Sequence, residues 1–385
     1  MTNSSHLVLF VDALHLRHRS YDGQFTYLKN LIRALCELDV DLKLYVICSS
    51  QSLQDLHHLL RYTSCSFIAF PFSNLPLRIF YQQVFIPLLL VFAKTFFPRS
   101  RISLFSPGYI TSLFCPCYVK IVLTIHDMYH VLFPAHIGLI RSIYWSLLIP
   151  LSCAKATSII SVSANTARDL KKYYAFASPK VIVSLESGEH SRFDLGIAMS
   201  DANIPSNPPV TGEYLLSIGS TKRIKDPYTL LNGFVEFLQS VQNLHLVITG
   251  PVSSRFSRKL KSYGESASTN IRFLGSVHQT RLSILLHGAT AVVISSFYEG
   301  FCLPALEAQA LGKILICPRI PVLLELLGDS AIFYDSGSPE SLALALVLFS
   351  KLSASEKNSL KCKALSNSQR YKWSDSATTL ISLFR

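Results

Sequence analysis

Short apolar runs alternate with longer amphipathic stretches along the whole chain. In the second half the apolar runs are residues 214–219, 244–249, 271–275, 291–296, 314–317 and 331–334. In the first half they are Leu7 to Val11, Leu42 to Cys48, Ser66 to Ala69, Ile102 to Phe105, Lys120 to Ile125 and Ser158 to Val162. Such runs, short and largely apolar, are typical of parallel strands buried on both faces. The alternation predicts an α/β fold with a doubly wound parallel sheet in each half.

The length of the chain supports a division into two domains. At 385 residues it exceeds what a single hydrophobic core usually supports. Between the halves, residues 196–212 are rich in Asn, Ser and Pro, which favours an interdomain linker. We therefore place one domain at 1–195 and the next at 213–365.

Composition excludes several classes of protein. Hydrophobic residues make up 49% of the chain and charged residues 16%, so an intrinsically disordered protein is excluded. Nine cysteines include no Cys-x-x-Cys pair, and Cys115-Pro116-Cys117 has no partner at zinc-ligand spacing. Reduced thiols in the cytoplasm are the simplest interpretation. The first residues carry no charged leader, so we expect no signal peptide, and nothing resembles a nucleic-acid-binding motif.

Membrane contact is the open question of the first half, because the chain is apolar and carries a formal net charge of +12. The run Val84 to Ala93 contains Pro87 and falls short of the roughly 20 residues that a span needs. Leu139 to Ala154 is interrupted by polar residues. A mixture of aromatic and basic residues follows the first run: Lys94, Phe96, Phe97, Arg99 and Arg101. This mixture is typical of a bilayer interface, but a buried core helix over Ile79 to Phe92 with a solvated basic end explains it equally well.

The candidate chemistry lies between Ser295 and Ala308, where Glu299 and Glu307 flank a predicted turn-to-helix junction. Pro304 suits the first helical position, because its missing N–H costs nothing there. The backbone amides just before it, together with the helix dipole, would favour an anion such as a diphosphate. The two carboxylates could accept hydrogen bonds from a sugar and a ribose. The spacing alone also fits an ordinary helix-terminal charge and a solvated loop acid.

The full string Glu-Gly-Phe-x-Leu-Pro-x-Leu-Glu-Ala, from Glu299 to Ala308, resembles the donor-binding signature of retaining glycosyltransferases of the GT-B fold, family 4. The segments Tyr214 to Asp226, Thr124 to Asp127, Val162 to Thr166 and Tyr21 to Tyr27 are also similar to that family. The resemblance covers nearly the whole chain. It implies two Rossmann-like domains facing each other across a cleft, with residues 366–385 crossing back to the first domain.

The resemblance also implies roles for individual residues. Lys225, helped by Arg223, would neutralise the departing diphosphate, while Glu299 would orient the sugar and Glu307 would hold the ribose. His126 would point toward the donor sugar, although a histidine there is equally well explained as structural. We take His126, Glu299 and Lys225 as the catalytic candidates. The donor-binding candidates are Gly23, Gly219, Arg223, Lys225, Gly300, Phe301, Cys302, Leu303 and Glu307.

The implied reaction is retaining transfer of a hexose from a nucleotide sugar to a glycan or lipid-linked acceptor in surface polysaccharide synthesis. It needs no cofactor and no metal. GDP-mannose is the preferred donor ahead of UDP-linked sugars. We expect a cytoplasmic protein, with an anionic membrane surface at the inner face of the plasma membrane as a further partner and no nucleic acid.

Three alternatives stay open. A metal-dependent GT-A enzyme would need Asp-x-Asp just after a strand, whereas Asp39-Val40-Asp41 precedes one. A nucleotide-sugar epimerase would share the architecture. A non-catalytic binding subunit is favoured by two departures from the family pattern, because Ile224 stands where arginine is usual and Cys302 where glycine is usual.

Overall fold

The chain divides into two compact units, each with its own parallel sheet. Unit 1 comprises Met1–Glu186 with Trp373–Arg385, and unit 2 comprises Ser187–Lys372. The structure, a computed structural model, describes residues 6–16, 22–60, 63–71, 74–190, 210–219, 223–241, 244–251, 256, 258, 262–263 and 269–385.

Unit 1 contains a seven-stranded, all-parallel sheet in the order β3-β2-β1-β4-β5-β6-β7. Its strands are β1 (Leu7–Asp12), β2 (Leu42–Ser49), β3 (Cys65–Phe70), β4 (Arg101–Ser106), β5 (Lys120–Ile125), β6 (Ser158–Ser161) and β7 (Val181–Val183). Its helices are α1 (Gly23–Glu37), α2 (Ser50–Leu60), α3 (Leu75–Phe96), α4 (Tyr129–Leu132), α5 (Leu139–Lys155) and α6 (Ala164–Tyr173). The six predicted strands are confirmed, and β7 is an additional three-residue strand.

The strand order fixes which helices share a face of this sheet. From β1 the chain adds strands toward the β3 edge of the sheet, and after β3 it crosses to β4 and adds strands toward the β7 edge. Because the crossovers are right-handed, α1 and α2 lie on one face of the sheet and α3, α5 and α6 on the other. The second face has a continuous core that includes Ile86 and Leu90 of α3 and Ile149 and Cys153 of α5.

Helix α3 is longer than its sequence suggested. It runs through 22 residues, and among the described helices it is the one long and apolar enough to cross a membrane by length and composition. The sequence predicted an apolar segment of ten residues, too short to span a membrane. For the helix as a whole that prediction was wrong. A π turn at Tyr81–Phe85 precedes Pro87, so the chain passes the proline without ending the helix.

One side of α3 belongs to the core of unit 1. Gln82, Ile86, Leu90 and Ala93 are buried, and Gln82 Nε2 donates a hydrogen bond to Asp12 Oδ2 at 2.6 Å. The helix therefore covers the sheet with one face.

Unit 2 repeats the architecture with six parallel strands in the order β10-β9-β8-β11-β12-β13. Its strands are β8 (Tyr214–Ile218), β9 (His245–Thr249), β10 (Ile271–Gly275), β11 (Ala291–Val293), β12 (Ile314–Pro318) and β13 (Ile332–Tyr334). The described helices of eight or more residues are α7 (Pro227–Leu238), α8 (Gln279–Gly288), α9 (Leu303–Ala310), α11 (Pro339–Lys351) and α12 (Ala354–Ser368), with the shorter α10 (Pro321–Leu327) between β12 and β13. All six predicted strands are present.

The boundaries between the units differ from the predicted ones at 195 and 366. Residues 187–190 pack within unit 2, where Ser187 Oγ donates to the carbonyl of Tyr371 at 2.8 Å. Helix α12 also stays in unit 2, since Asn367 Nδ2 donates to Gln309 Oε1 at 2.7 Å. Most of the predicted linker, 196–209, lies outside the described residues.

The last helix, α13 (Trp373–Ser382), packs against α1 within unit 1. The Trp373 ring lies 5.9 Å from the ring of Tyr27, and Ser376 Oγ donates to the carbonyl of Leu185 at 2.5 Å. Unit 1 is therefore assembled from two distant parts of the sequence.

Candidate functional site

The carboxyl ends of β8 and β11 form the candidate site of unit 2. The strand order reverses direction between these neighbouring strands, and in open α/β sheets ligands bind at such a crevice. A pocket with an empty volume of about 420 Å³ lies here. The residues that line it include Ser217, Gly219, Lys225, Ser295, Ser296, Glu299, Cys302 and Pro304. Four predicted site residues, Gly219, Lys225, Glu299 and Cys302, are thus brought together.

Lys225 is held in place by the loop that follows β11. It ends a 3₁₀ turn that begins at Arg223, and its carbonyl accepts a hydrogen bond from Ser295 Oγ at 2.6 Å. The Phe297 amide also donates to the Ile224 carbonyl at 3.1 Å. The ammonium Nζ of Lys225 lies 2.5 Å from Glu299 Oε1.

This ion pair is only partly buried, since the Lys225 side chain is 30% exposed and the Glu299 side chain 14% exposed. The pair therefore remains open to solvent on the pocket side. A cation that is fixed by its backbone and still exposed can bind a phosphate oxygen, and the adjacent carboxylate can accept hydrogen bonds from hydroxyl groups.

Cys302 caps the amino end of α9 in a left-handed conformation, with φ +79° and ψ 59°. Helix α9 begins at Leu303, one residue earlier than predicted, so Pro304 is its second residue and Glu307 its fifth. Burial raises the pKa of the Cys302 thiol, and the charge of Glu299 raises it further. The thiol is therefore neutral. The left-handed backbone of Cys302 explains why glycine suits this position.

Glu307 is not among the residues that line the pocket, and its carboxylate lies in a buried contact with His190 within unit 2. Its Oε1 is 2.9 Å from His190 Nε2, and both side chains are less than 10% exposed. Gly188 permits this arrangement, because a Cβ at Gly188 would lie 2.2 Å from the carbonyl carbon of Leu306. The backbone of 187–190 thus lies directly on α9 and carries His190 to the carboxylate.

The other predicted donor-binding residues of unit 2 lie around the pocket. Arg223 is exposed at the start of the 3₁₀ turn. Gly300, Phe301 and Leu303 are buried on either side of Cys302, and the Phe301 ring packs edge-on against Tyr371 at 6.4 Å. Their roles toward a donor stay predictions.

His126, in unit 1, follows β5 and is nearly buried, with both ring nitrogens facing acceptors. Nε2 lies 2.7 Å from the Pro107 carbonyl, and Nδ1 lies 3.4 Å from Glu186 Oε1. Burial lowers the pKa of His126, but the Glu186 carboxylate and the Pro107 carbonyl outweigh burial, so the pKa is raised above 6.5. An imidazolium satisfies both acceptors at once. Gly23 is the exposed first residue of α1, which Asp22 caps by accepting from the Phe25 amide.

At the carboxyl ends of β1 and β4 in unit 1, His15 packs against Gly108. A Cβ at Gly108 would lie 2.8 Å from the ring of His15. Burial lowers the pKa of His15 to about 3, so this ring is neutral. Burial also raises the pKa of Asp12, although the hydrogen bond from Gln82 opposes that rise.

Sequence reasoning missed four residues of these sites: Gly188, His190, Glu186 and Ser295. Each acts through a partner that is distant in the chain, such as Glu307 for His190 and His126 for Glu186. A single signal was available, since Gly188 stands next to polar residues just after an apolar strand. Among the described residues, no group of three or more His, Cys, Asp or Glu side chains could hold a metal ion.

Comparisons with known sequences match two families to the two halves. Residues 21–184 match Glycosyltransferase Family 4, and residues 200–364 match Glycosyl transferases group 1. The O-antigen chain mannosyltransferase B of Escherichia coli is 30% identical over 115 residues, which is 30% of each chain. The D-inositol 3-phosphate glycosyltransferase of Corynebacterium urealyticum is 26% identical over 59% of this chain and 56% of its own.

The O-antigen chain mannosyltransferase RfbU of Salmonella typhimurium is 24% identical over 58% of this chain and 59% of its own. The match therefore spans between about a third and three fifths of the length of these relatives. Solved structures agree in fold. Anabaena HepE in complex with UDP and glucose has a TM-score of 0.66 at 13% identity, covering 98% of this chain and 99% of its own. Sucrose-phosphate synthase from Thermosynechococcus elongatus has a TM-score of 0.72 at 15% identity, covering 99% and 98%.

Two parallel-sheet units, with a basic, carboxylate-bearing pocket at the strand ends of the second, define the GT-B fold. Within that class, the chain belongs to the family that joins a Glycosyltransferase Family 4 domain to a Glycosyl transferases group 1 domain.

Proposed function

We propose that the chain transfers a hexose, with retention of anomeric configuration, from a nucleotide sugar to a glycan or lipid-linked acceptor. The observation that carries the proposal is the exposed Lys225–Glu299 pair beside the amino end of α9. A nucleotide sugar carries both chemistries that this pair recognises, a diphosphate for the ammonium and sugar hydroxyls for the carboxylate.

Lys225 would stabilise the charge that develops on the leaving diphosphate. An ammonium that is already fixed by Ser295 and Glu299 costs no reorganisation during the reaction, and such preorganised groups contribute strongly to catalysis. The amino end of α9 would add its backbone amides and dipole. Arg223 is exposed two residues away and could approach from outside.

Glu299 would orient the sugar rather than attack it, because its oxygen is already engaged with Lys225. Glu307 would hold the ribose through the oxygen that does not face His190. The His126 ring is held between the Pro107 carbonyl and the Glu186 carboxylate, so direct contact with a sugar would require one of these partners to be exchanged.

We propose GDP-mannose as the donor because two of the similar relatives are named mannosyltransferases of the O-antigen chain. The HepE neighbour holds UDP and glucose, which keeps UDP-linked sugars as the competing donors. The reaction would proceed without a metal or a resident cofactor. The proposed location is the cytoplasmic face of the plasma membrane, in surface polysaccharide synthesis.

The test is a titration of the purified protein with a panel of nucleoside diphosphate sugars in EDTA. Thermal stabilisation and slow release of free nucleotide should both appear with one donor, and both should be lost in Glu307→Ala. A requirement for added divalent metal would contradict the proposed metal independence. No stabilisation and no nucleotide release with any donor of the panel would favour a non-catalytic subunit. The His190 contact with Glu307 keeps that alternative open.

A further inference from the structure

Exposed apolar side chains are concentrated in unit 1. Among the described residues, 22 large apolar side chains are exposed, and 19 of them belong to unit 1. Nine lie on α3: Leu75, Leu77, Phe80, Val84, Phe85, Leu88, Val91, Phe92 and Phe96. Five lie on α5: Leu139, Ile140, Ile143, Leu147 and Leu151. Folding within unit 1 therefore leaves a large apolar area in water, and such areas mark interaction sites.

The exposed residues of α5 recur at helical spacing. Ile140 is 81% exposed, Ile143 61% and Leu147 60%, and together they form one stripe on the side away from the buried Ile149 and Cys153. On α3 the exposed stripe likewise lies away from the buried stripe that covers the sheet. Helices that are apolar all round need cover on both sides, and the sheet covers only one.

The two helices form one continuous surface. Both lie on the same face of the sheet, and the loop after β4 joins them. The Thr111 carbonyl accepts from Gln83 Nε2 of α3 at 3.1 Å, and its amide donates to Ser152 Oγ of α5 at 3.1 Å. Phe114, which follows in this loop, is 74% exposed. We call the exposed apolar residues of α3 and α5, together with Phe114, the two-helix face.

The charges around this face have one sign. Between Asn74 and Lys155 the chain has seven Lys and Arg residues and a single acidic residue, Asp127. Arg99 and Arg141 are exposed, and Arg141 lies 5.7 Å from the ring of Trp145. An apolar surface with a cationic margin complements a bilayer whose headgroups are anionic, because lysine and arginine stems can lie along acyl chains while their charges stay in the headgroup layer.

We infer that the two-helix face docks on an anionic lipid bilayer, with α3 and α5 lying in the interface rather than crossing it. A crossing would require the buried side of α3 to leave the sheet and break the Gln82–Asp12 hydrogen bond in the core. A second copy of the chain would bring cations against cations across a two-fold axis. The inference deepens the proposed function by naming its membrane surface, but vesicle binding is independent of nucleotide-sugar turnover.

The test uses the full chain with phosphatidylcholine vesicles, with and without phosphatidylglycerol as about one lipid in three, because an anionic surface attracts basic segments. Flotation should show binding to the anionic vesicles, weakened by salt, and little to the neutral ones. Ile140→Glu with Leu147→Glu should lower the partition coefficient at least tenfold. The control is Leu344→Glu with Leu348→Glu, two exposed residues one helical turn apart on α11 of unit 2, and it should bind as the parent does.

Depth is measured by quenching of Trp145 with brominated acyl chains in a Trp373→Phe background, since Trp145 lies beside the two-helix face on α5. Quenching in the parent but not in the α5 variant supports the inference. Absence of vesicle binding would overturn the inference. An equal loss of vesicle binding in the α5 double variant and in the α11 double variant would also overturn it. A dimer in sedimentation that the α5 variant dissociates, without vesicle binding, would assign the face to a second copy instead. Nucleotide release without vesicles is recorded in parallel, so failure of docking and failure of the proposed activity stay separate.

Discussion

The two units share one strand order around their central strand, yet their crevices are different. In unit 2 the carboxyl ends of β8 and β11 are followed by Gly219 and by a loop that leaves an open pocket. In unit 1 the carboxyl ends of β1 and β4 are followed by His15 and Gly108, which pack on each other. Topology therefore fixes where a crevice lies, and the residues that follow the strands decide how its walls are packed.

Electrostatics follows the same division. The open crevice of unit 2 has a solvent-accessible ion pair, Lys225–Glu299. At the strand ends of unit 1 lies a neutral histidine, His15, beside a buried carboxyl, Asp12, whose pKa burial raises. The polar groups of unit 1 thus stabilise their own surroundings, while those of unit 2 remain available to a ligand.

The largest effect is expected from Lys225→Ala. Loss of the fixed Lys225 ammonium should lower transfer by about 10²–10³-fold, the usual cost of removing a group that stabilises developing charge. Steady-state kinetics with the identified donor measure it, and circular dichroism checks the fold. The matched control is Lys363→Ala, which removes an exposed ion pair with Asp329 in the same unit and should leave turnover unchanged. Unchanged turnover in Lys225→Ala would remove this lysine from the mechanism.

Glycines test how each unit packs its strand-end loops. Gly188→Ala should lower the free energy of unfolding by about 1–3 kcal/mol, because its Cβ would meet the backbone of Leu306, which cannot step aside. In unit 1, Gly108→Ala meets only the His15 side chain and should cost less.

The control is Gly138→Ala, where nothing lies within 4 Å of the new Cβ, and we expect a change within about 0.5 kcal/mol. Urea unfolding measures the free energy of unfolding of the three variants and so gives their order. Equal losses at Gly188 and Gly138 would contradict the direct contact between the 187–190 backbone and α9.

The pKa of His126 tests the polar network of unit 1. Because its folded pKa lies above 6.5, its ion pair stabilises the fold fully below pH 6.5, and this stability is lost as the pH rises through the folded pKa. In Glu186→Gln burial should dominate, so the pKa should fall below that of the parent. NMR titration of the ring protons, assigned with His126→Gln, measures the direction. An unchanged pKa would show that Glu186 does not hold the ring.

The smallest effect concerns Cys302 and its left-handed backbone. Cys302→Gly should be more stable than Cys302→Ala by about 1 kcal/mol, because alanine keeps the left-handed strain and glycine does not. At Cys317, buried in β12 without a positive φ, the order should reverse. Chemical unfolding of the Gly and Ala variants at Cys302 and Cys317 measures the order of their stabilities. A Cys302→Ala protein at least as stable as Cys302→Gly would show that the strain is negligible.

Local patterns in the sequence predicted most of the fold. The strands could be found because each is a short apolar run bounded by polar residues, and β7 was missed because three residues make too short a run. Gly219 and Glu299 were expected together because they follow strands whose ends must meet at one edge of a sheet. Cys302 was expected from the predicted helix start, and Lys225 from the resemblance to the family.

The rest depended on distance along the chain. No local pattern pairs His190 with Glu307, because 117 residues separate them and only the fold joins them. The length of α3 was underestimated because Pro87 normally ends a helix, whereas the π turn before it accommodates the ring. The unit boundary at Glu186 could not be predicted from the sequence, because the chain enters unit 2 before the Asn-, Ser- and Pro-rich segment begins.

The packing of α13 on α1 has a consequence for the order of events at the ribosome. Helix α1 is synthesised before unit 2, but the residues that pack on it through Trp373 and Ser376 follow unit 2 in the chain. Until then the α1 surface beside Tyr27 lacks its final covering, while unit 2 has all of its own residues and can fold first. Unit 1 therefore completes its packing only after unit 2 has been synthesised, and a ribosome stalled before codon 373 would present a finished second unit beside an unfinished first one.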